Sequence, residues 1–172
     1  MSEPFENLAK RIRGEVTDLE EVIDRAEQAW QLVQKGPPQQ YAYVDSVALN
    51  LHGFYSGLEK LFELIARYVD RELPVGETWH RDLLQQMSQD FSDIRPAVIS
   101  QQSAAIVDEF RRFRHLVRNV YTINLVPEKM EGLMESLPEF WPTLRAELLA
   151  FADYLDVLDS TLHSTGLPKH LY

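Results

Sequence analysis

The sequence predicts an all-α fold, an up-and-down helical bundle of about five to six helices. Three observations carry that expectation. Apolar residues recur at steps of three and four over long stretches, the period of an amphipathic helix. Proline and glycine clusters cut those stretches into segments of helical length. No β-hairpin signal, internal repeat or low-complexity tract interrupts the pattern. The chain has 172 residues, 45% of them hydrophobic, which is ample for one core. We expect a single bundle over residues 1–160 and an irregular tail over 161–172, where Gly166 and Pro168 fall.

The first helix is predicted from Pro4 to Gln34. Leu8, Ile12, Leu19, Ile23, Ala26, Trp30 and Val33 form its stripe, and Lys35-Gly36-Pro37-Pro38 stops it. The second is predicted from Gln40 to Leu73. Its seam of Val44, Ala48, Leu51, Tyr55, Leu58, Phe62, Ile65 and Val69 steps by four and three throughout. Pro74 to Thr78 reads as a turn, with Thr78 capping a third helix that runs to about Phe91. A break around Pro96 precedes a fourth helix over Gln101–Thr122, ended by Asn124 and Pro127. Pro127-Glu128-Lys129 opens a short helix, and Leu137-Pro138 begins the last one, which runs to about Ser160.

Composition narrows the function classes. A formal net charge of -10 and a sequence pI of about 4.9 argue against nucleic-acid binding over the whole surface, and leave RNA only a local basic patch. The absence of cysteine excludes disulfides and thiolate metal sites and suits a reducing cytoplasm. No apolar run approaches the roughly 20 residues of a membrane span. Met1-Ser2-Glu3-Pro4 has neither the basic nor the apolar region of a signal peptide. A cytoplasmic protein without a membrane partner is therefore expected. No phosphate-binding loop, dinucleotide fingerprint or nucleophile elbow is present.

Against that acidic background, Arg111, Arg112, Arg114, His115 and Arg118 crowd into eight residues of the fourth helix. Arginine suits sites that hold phosphate or carboxylate in a fork geometry. At about 100° per residue, Phe110, Phe113, Val117 and Val120 share an apolar face. Arg114 and Tyr121 fall at its edge, while Arg111, His115, Arg118 and Asn119 follow the adjacent polar side. Arg114 should therefore be at least half buried. It either pairs with a core-facing acid, Glu59 or Asp45, or serves a site.

The pattern Arg114-His115-x-x-x-Asn119-x-Tyr121 resembles the helix motif of HEPN-domain proteins, in particular the HepT-like toxins. The stretches Leu51-His52-Gly53-Phe54-Tyr55-Ser56-Gly57-Leu58-Glu59 and Trp79-His80-Arg81-Asp82-Leu83-Leu84 are also similar to a HepT-like subgroup. The resemblance runs from about Tyr43 to Leu158 and implies a HEPN-like bundle. It further implies a homodimer whose motif residues meet at an arginine-rich cleft and cleave RNA without metal or cofactor. The catalytic positions would then be Arg114, His115 and Asn119, with Arg111 and Arg118 on substrate phosphate. Asn119 stands where the family has histidine, and an amide cannot shuttle a proton. The resemblance also implies a toxin–antitoxin pair in which a nucleotidyltransferase antitoxin adds AMP to Tyr121.

Each residue also has a plainer reading. His115 is either a replacement proton carrier or a solvated histidine, Arg118 a phosphate ligand or a surface ion-pair former. Tyr121 by its phase alone is core packing. His52 and Glu59 lie on the side of the second helix and are expected to support Arg114, whereas His80 is expected in a first turn rather than in a site. A His52/His80/Glu59 metal cluster lacks the usual ligand spacing, so no metal is expected. Gly53 and Gly57 announce a close helix approach, within the chain or between copies. The principal alternative to an RNA-directed toxin is a catalytically degenerate helical module that binds a nucleotidyltransferase partner or a nucleotide and cleaves nothing.

Overall fold

The computed structural model describes residues 5–119 and 124–164. Among these residues the chain forms five α-helices and no strands, an all-α helical bundle. The helices are α1 (Phe5–Gln34), α2 (Gln40–Ile65), α3 (Trp79–Met87), α4 (Gln101–Asn119) and α5 (Glu131–Ser164). α1 packs along α2 and α5. α4 leans on α2 and touches α5, and α3 closes against α2 and α4. No helix of the described residues is long and apolar enough to cross a membrane.

The predicted stripes are the core. Leu8, Ile12, Leu19, Ile23, Ala26 and Val33 of α1 are buried, with Trp30 packed at the margin. All eight seam residues of the second helix, Val44 to Val69, are buried. At Gly57 α1 approaches closely: a Cβ there would sit 2.7 Å from Glu15 Oε1 and 3.0 Å from Leu19 Cδ2. The close approach announced by the glycine spacing is therefore intrachain at this position. Gly36, at φ 62°, takes the left-handed conformation that ends α1. Ser100 Oγ accepts the Ser103 N–H at 3.1 Å, which sets the start of α4.

Several boundaries differ from expectation. α2 gives way to a π-helical turn over Ala66–Asp70, closed by Arg71 at φ 59°. Thr78 occupies the cap position of α3, but its hydroxyl bonds the Asp82 side chain at 2.7 Å instead of a backbone amide. α3 stops at Met87 rather than Phe91. The reason is Arg95, whose guanidinium takes the carbonyls of Gln86 (3.2 Å) and Gln89 (3.1 Å) that a longer helix would use itself. Arg95 and Asp70 form a buried two-point ion pair (2.5 and 2.6 Å), with side chains 0% and 4% exposed. Gln86 adds a 2.7 Å bond to the same carboxylate.

Pro127–Lys129 forms a 3-10 turn. α5 begins at Glu131, before the expected Leu137-Pro138, and accommodates Pro138 and Pro142 within it. Both prolines face solvent, so each removes one hydrogen bond from the exposed side while the apolar stripe continues beneath. α5 also runs through Thr161 to Ser164, residues expected to begin the irregular tail.

Candidate functional site

The rotation of α4 is fixed by its aromatics. Phe110 is fully buried and meets Phe54 of α2 edge-on at 5.1 Å, and Phe113 is buried beside it. The next residue, Arg114, is thereby placed where core meets surface, with 17% of its side chain exposed. Tyr55 and Glu59, one turn apart on α2, face it.

Glu59 is the centre of the arrangement. Its side chain is only 7% exposed. Oε2 accepts the Tyr55 hydroxyl at 2.8 Å and meets His80 Nδ1 at 2.5 Å. Oε1 lies 3.5 Å from Arg114 Nη2. The Arg114 guanidinium carbon also sits 5.7 Å from the centre of the Tyr55 ring, within reach of a cation–π attraction. A buried carboxylate is tolerable only with such compensation. The Tyr55 hydroxyl is pushed well above its ordinary value, first by burial and then by the neighbouring Glu59 charge. Arg114 Nε is buried and has no hydrogen-bond acceptor among the described residues.

Arg114 therefore has Glu59 as its acid, one of the two partners expected. His80 does lie in the first turn of α3, yet it also joins the cluster, which the sequence reading did not foresee. Trp79 stacks on its ring at 3.7 Å. The missed signal was Tyr55 at four residues before Glu59, a spacing that puts hydroxyl and carboxylate on one helical face. His52, one turn further up α2, is half buried. Its imidazole is held below the ordinary value by burial, and next by the positive charges of Arg114 and Arg118, with Glu59 opposing.

The remaining arginines divide. Arg111 binds Asp108 at 2.7 Å, and Arg112 binds Asp108 at 2.8 Å with Glu109 at 3.6 Å. Arg118 is exposed and forms no ion pair among the described residues. His115 and Asn119 are exposed on the same side, and the Asn119 amide donates to the His115 carbonyl at 2.6 Å. Tyr121 and Val120 lie outside the described residues. Among the described residues no cluster of histidine and carboxylate is arranged to hold a metal ion. The result is a fixed arginine and a carboxylate-held histidine, flanked by an exposed arginine one turn along α4.

A family model of HepT-like protein matches residues 46–155, more than half of the chain, from within α2 to within α5, and takes in the whole cluster. No curated protein and no solved structure matches.

Proposed function

This chain belongs to the HepT-like protein family, and we propose on that basis that it is the toxin component of a toxin–antitoxin pair that acts on RNA. In this reading Arg114 and Arg118 hold a phosphodiester in a cleft completed by a second copy, and cleavage needs no metal. One observation carries it. Arg114 is held in place by Glu59 and Tyr55, while Arg118, one turn away, is exposed without a carboxylate of its own among the described residues. In a chain of net charge -10, that pair is a local positive field, and it reaches His52. A fixed guanidinium stabilises charge building on phosphate better than a mobile one. Arg111, tied to Asp108, takes a weaker share in phosphate binding than its position alone implied.

Dimerisation has its own support. Tyr41 and Leu49 are 70% and 71% exposed, two apolar side chains open to a partner on the helix that carries His52. Closed two-fold pairs are the commonest oligomers, and two copies of a modest patch make a cleft.

Binding of labelled single-stranded RNA, followed by fluorescence anisotropy across a salt series, tests the reading. We expect affinity to fall with salt, and Arg118→Ala to flatten the log–log slope by about 0.7, the contribution of one phosphate on a single strand. RNA binding that ignores both salt and Arg114 or Arg118 would refute it. A specific observation favours the second reading, a non-cleaving module that binds a nucleotidyltransferase antitoxin. Asn119 occupies the family's histidine position, and its amide is engaged by the His115 carbonyl. Under that reading the antitoxin still finds Tyr121 as the residue to modify, and AMP there adds phosphate charge three residues after Arg118 in the sequence.

A further inference from the structure

We propose that His80, held by Glu59, is the group that moves the proton when this protein cleaves RNA. The proposal rests on the RNA-cleaving reading above and assigns it a residue from α3 rather than from the arginine-rich helix.

The geometry of one carboxylate carries the argument. Glu59 is 7% exposed and fixed on its own helix by the Tyr55 hydroxyl at 2.8 Å. His80 Nδ1 meets the same oxygen at 2.5 Å. A carboxylate on Nδ1 holds the ring proton there and leaves Nε2 as the basic nitrogen. Trp79 stacks on the ring at 3.7 Å and fixes its plane. The His80 side chain is 28% exposed against 7% for Glu59, so the imidazole is the outward end of the pair.

The other oxygen of Glu59 faces Arg114 at 3.5 Å. Contacts to two oxygens of a single carboxylate keep the guanidinium and the imidazole within roughly 8 Å, a span that one hydrogen-bonded phosphodiester fills. Arginine for phosphate charge and an oriented histidine for the proton are what such a reaction requires. The alternatives on α4 lack that preparation. His115 is exposed and nothing among the described residues orients its ring, and Asn119 has no titratable proton.

The step is a transesterification. The neutral Nε2 takes the proton of a ribose 2′-hydroxyl as the 2′-oxygen forms its bond to phosphorus. The bond from phosphorus to the 5′-oxygen breaks, and the imidazolium returns the proton to that oxygen. The products are a 2′,3′-cyclic phosphate and a 5′-hydroxyl end, with Glu59 ionised throughout.

The test compares the full-length wild type with His80→Asn, using a single-stranded RNA in the presence of chelator. The asparagine amide can still donate to Glu59, so the helix contact is kept while proton transfer is lost. We expect the wild type to leave cyclic phosphate ends, and His80→Asn to lower kcat about 100-fold or more with RNA affinity unchanged. Wild-type rates from His80→Asn would overturn the assignment and leave the RNA-cleaving reading standing. A wild type that binds RNA without cutting it would overturn the assignment and favour the binding module. Neither binding nor cleavage would remove both. Loss of RNA affinity in His80→Asn would make the residue structural and count against us. Nitrogen-15 spectra of the wild-type imidazoles give a check independent of any variant. His80 must carry its proton on Nδ1, and an Nε2-protonated ring overturns the proposal.

Discussion

Replacing Arg114 by alanine tests how the candidate site is tied to the fold. The substitution removes one of three partners of a carboxylate that is 7% exposed. Breaking a fully buried pair by deleting one member typically costs about 3–5 kcal/mol. Three features lower that figure here. The pair is long at 3.5 Å, Arg114 keeps some exposure at 17%, and Glu59 retains Tyr55 and His80. Lost contact with the Tyr55 ring adds about 0.5–1 kcal/mol, while removal of a buried Nε without an acceptor recovers part of it. We expect a net loss of about 2 kcal/mol, or a melting temperature lower by roughly 4–8 °C for a chain of this size. Urea unfolding of wild type, Arg114→Ala, Glu59→Gln and the double variant measures it, with the coupling expected near 1–2 kcal/mol. A loss under about 0.5 kcal/mol with no coupling would refute the reasoning, since an exposed ion pair behaves that way.

The Arg95–Asp70 pair supplies a control, because its side chains are 0% and 4% exposed and doubly bonded. Asp70→Asn should therefore cost more than Arg114→Ala, about 3–5 kcal/mol by the same melts, and an equal or smaller loss would contradict the burial argument. His52 predicts a pH effect. Its folded-state value lies below the ordinary 6.5, so the unfolded chain binds the extra proton, and stability falls as pH drops below about 6.5 until the lower folded value is reached. His52→Gln should remove that contribution. The stability difference between variant and wild type must then change across pH 5.5–7.5, and parallel curves would contradict it. Leu49→Glu places charge on a residue that is 71% exposed. Light scattering should find the wild type above, and the variant at, the monomer mass of 20.0 kDa, whereas a monomeric wild type would dismiss the two-copy cleft.

Much of this molecule was legible in its sequence because long amphipathic helices write their buried face as a three-and-four period. The α2 seam was read residue by residue from Val44 to Val69, and the position of Arg114 at the edge of Phe110 and Phe113 followed from the same phase. Partners across the bundle were harder. Glu59 was one of two acids considered for Arg114, and periodicity alone gave no reason to prefer it to Asp45. His80 meets Glu59 across 21 residues and a turn, a relation fixed by how α3 folds back and not by any spacing. The early end of α3 depends on Arg95 reaching its last carbonyls, a tertiary contact that overrides local helix preference. Prolines mislead in the opposite sense in α5. Pro138 looked like a helix start because the sequence does not display that its missing donor faces solvent. The Gly53 and Gly57 spacing gave close approach, but only the position of α1 gave the partner.

The clasp of Arg95 has a kinetic consequence for the irregular connection between α3 and α4. The Phe91 amide is bonded to the Arg95 carbonyl, the Arg95 amide to that of Phe91, and the Val98 amide to that of Met87, at 2.7–2.9 Å. Releasing any of these from a guanidinium-centred knot in the core means exposing the Asp70 charge as well. Their hydrogens should exchange with deuterium on the schedule of global unfolding, while the exposed end of α4 around Arg118 exchanges by local fraying. The segment without regular structure would then be among the last to open, well after the exposed end of the helix that carries the arginines.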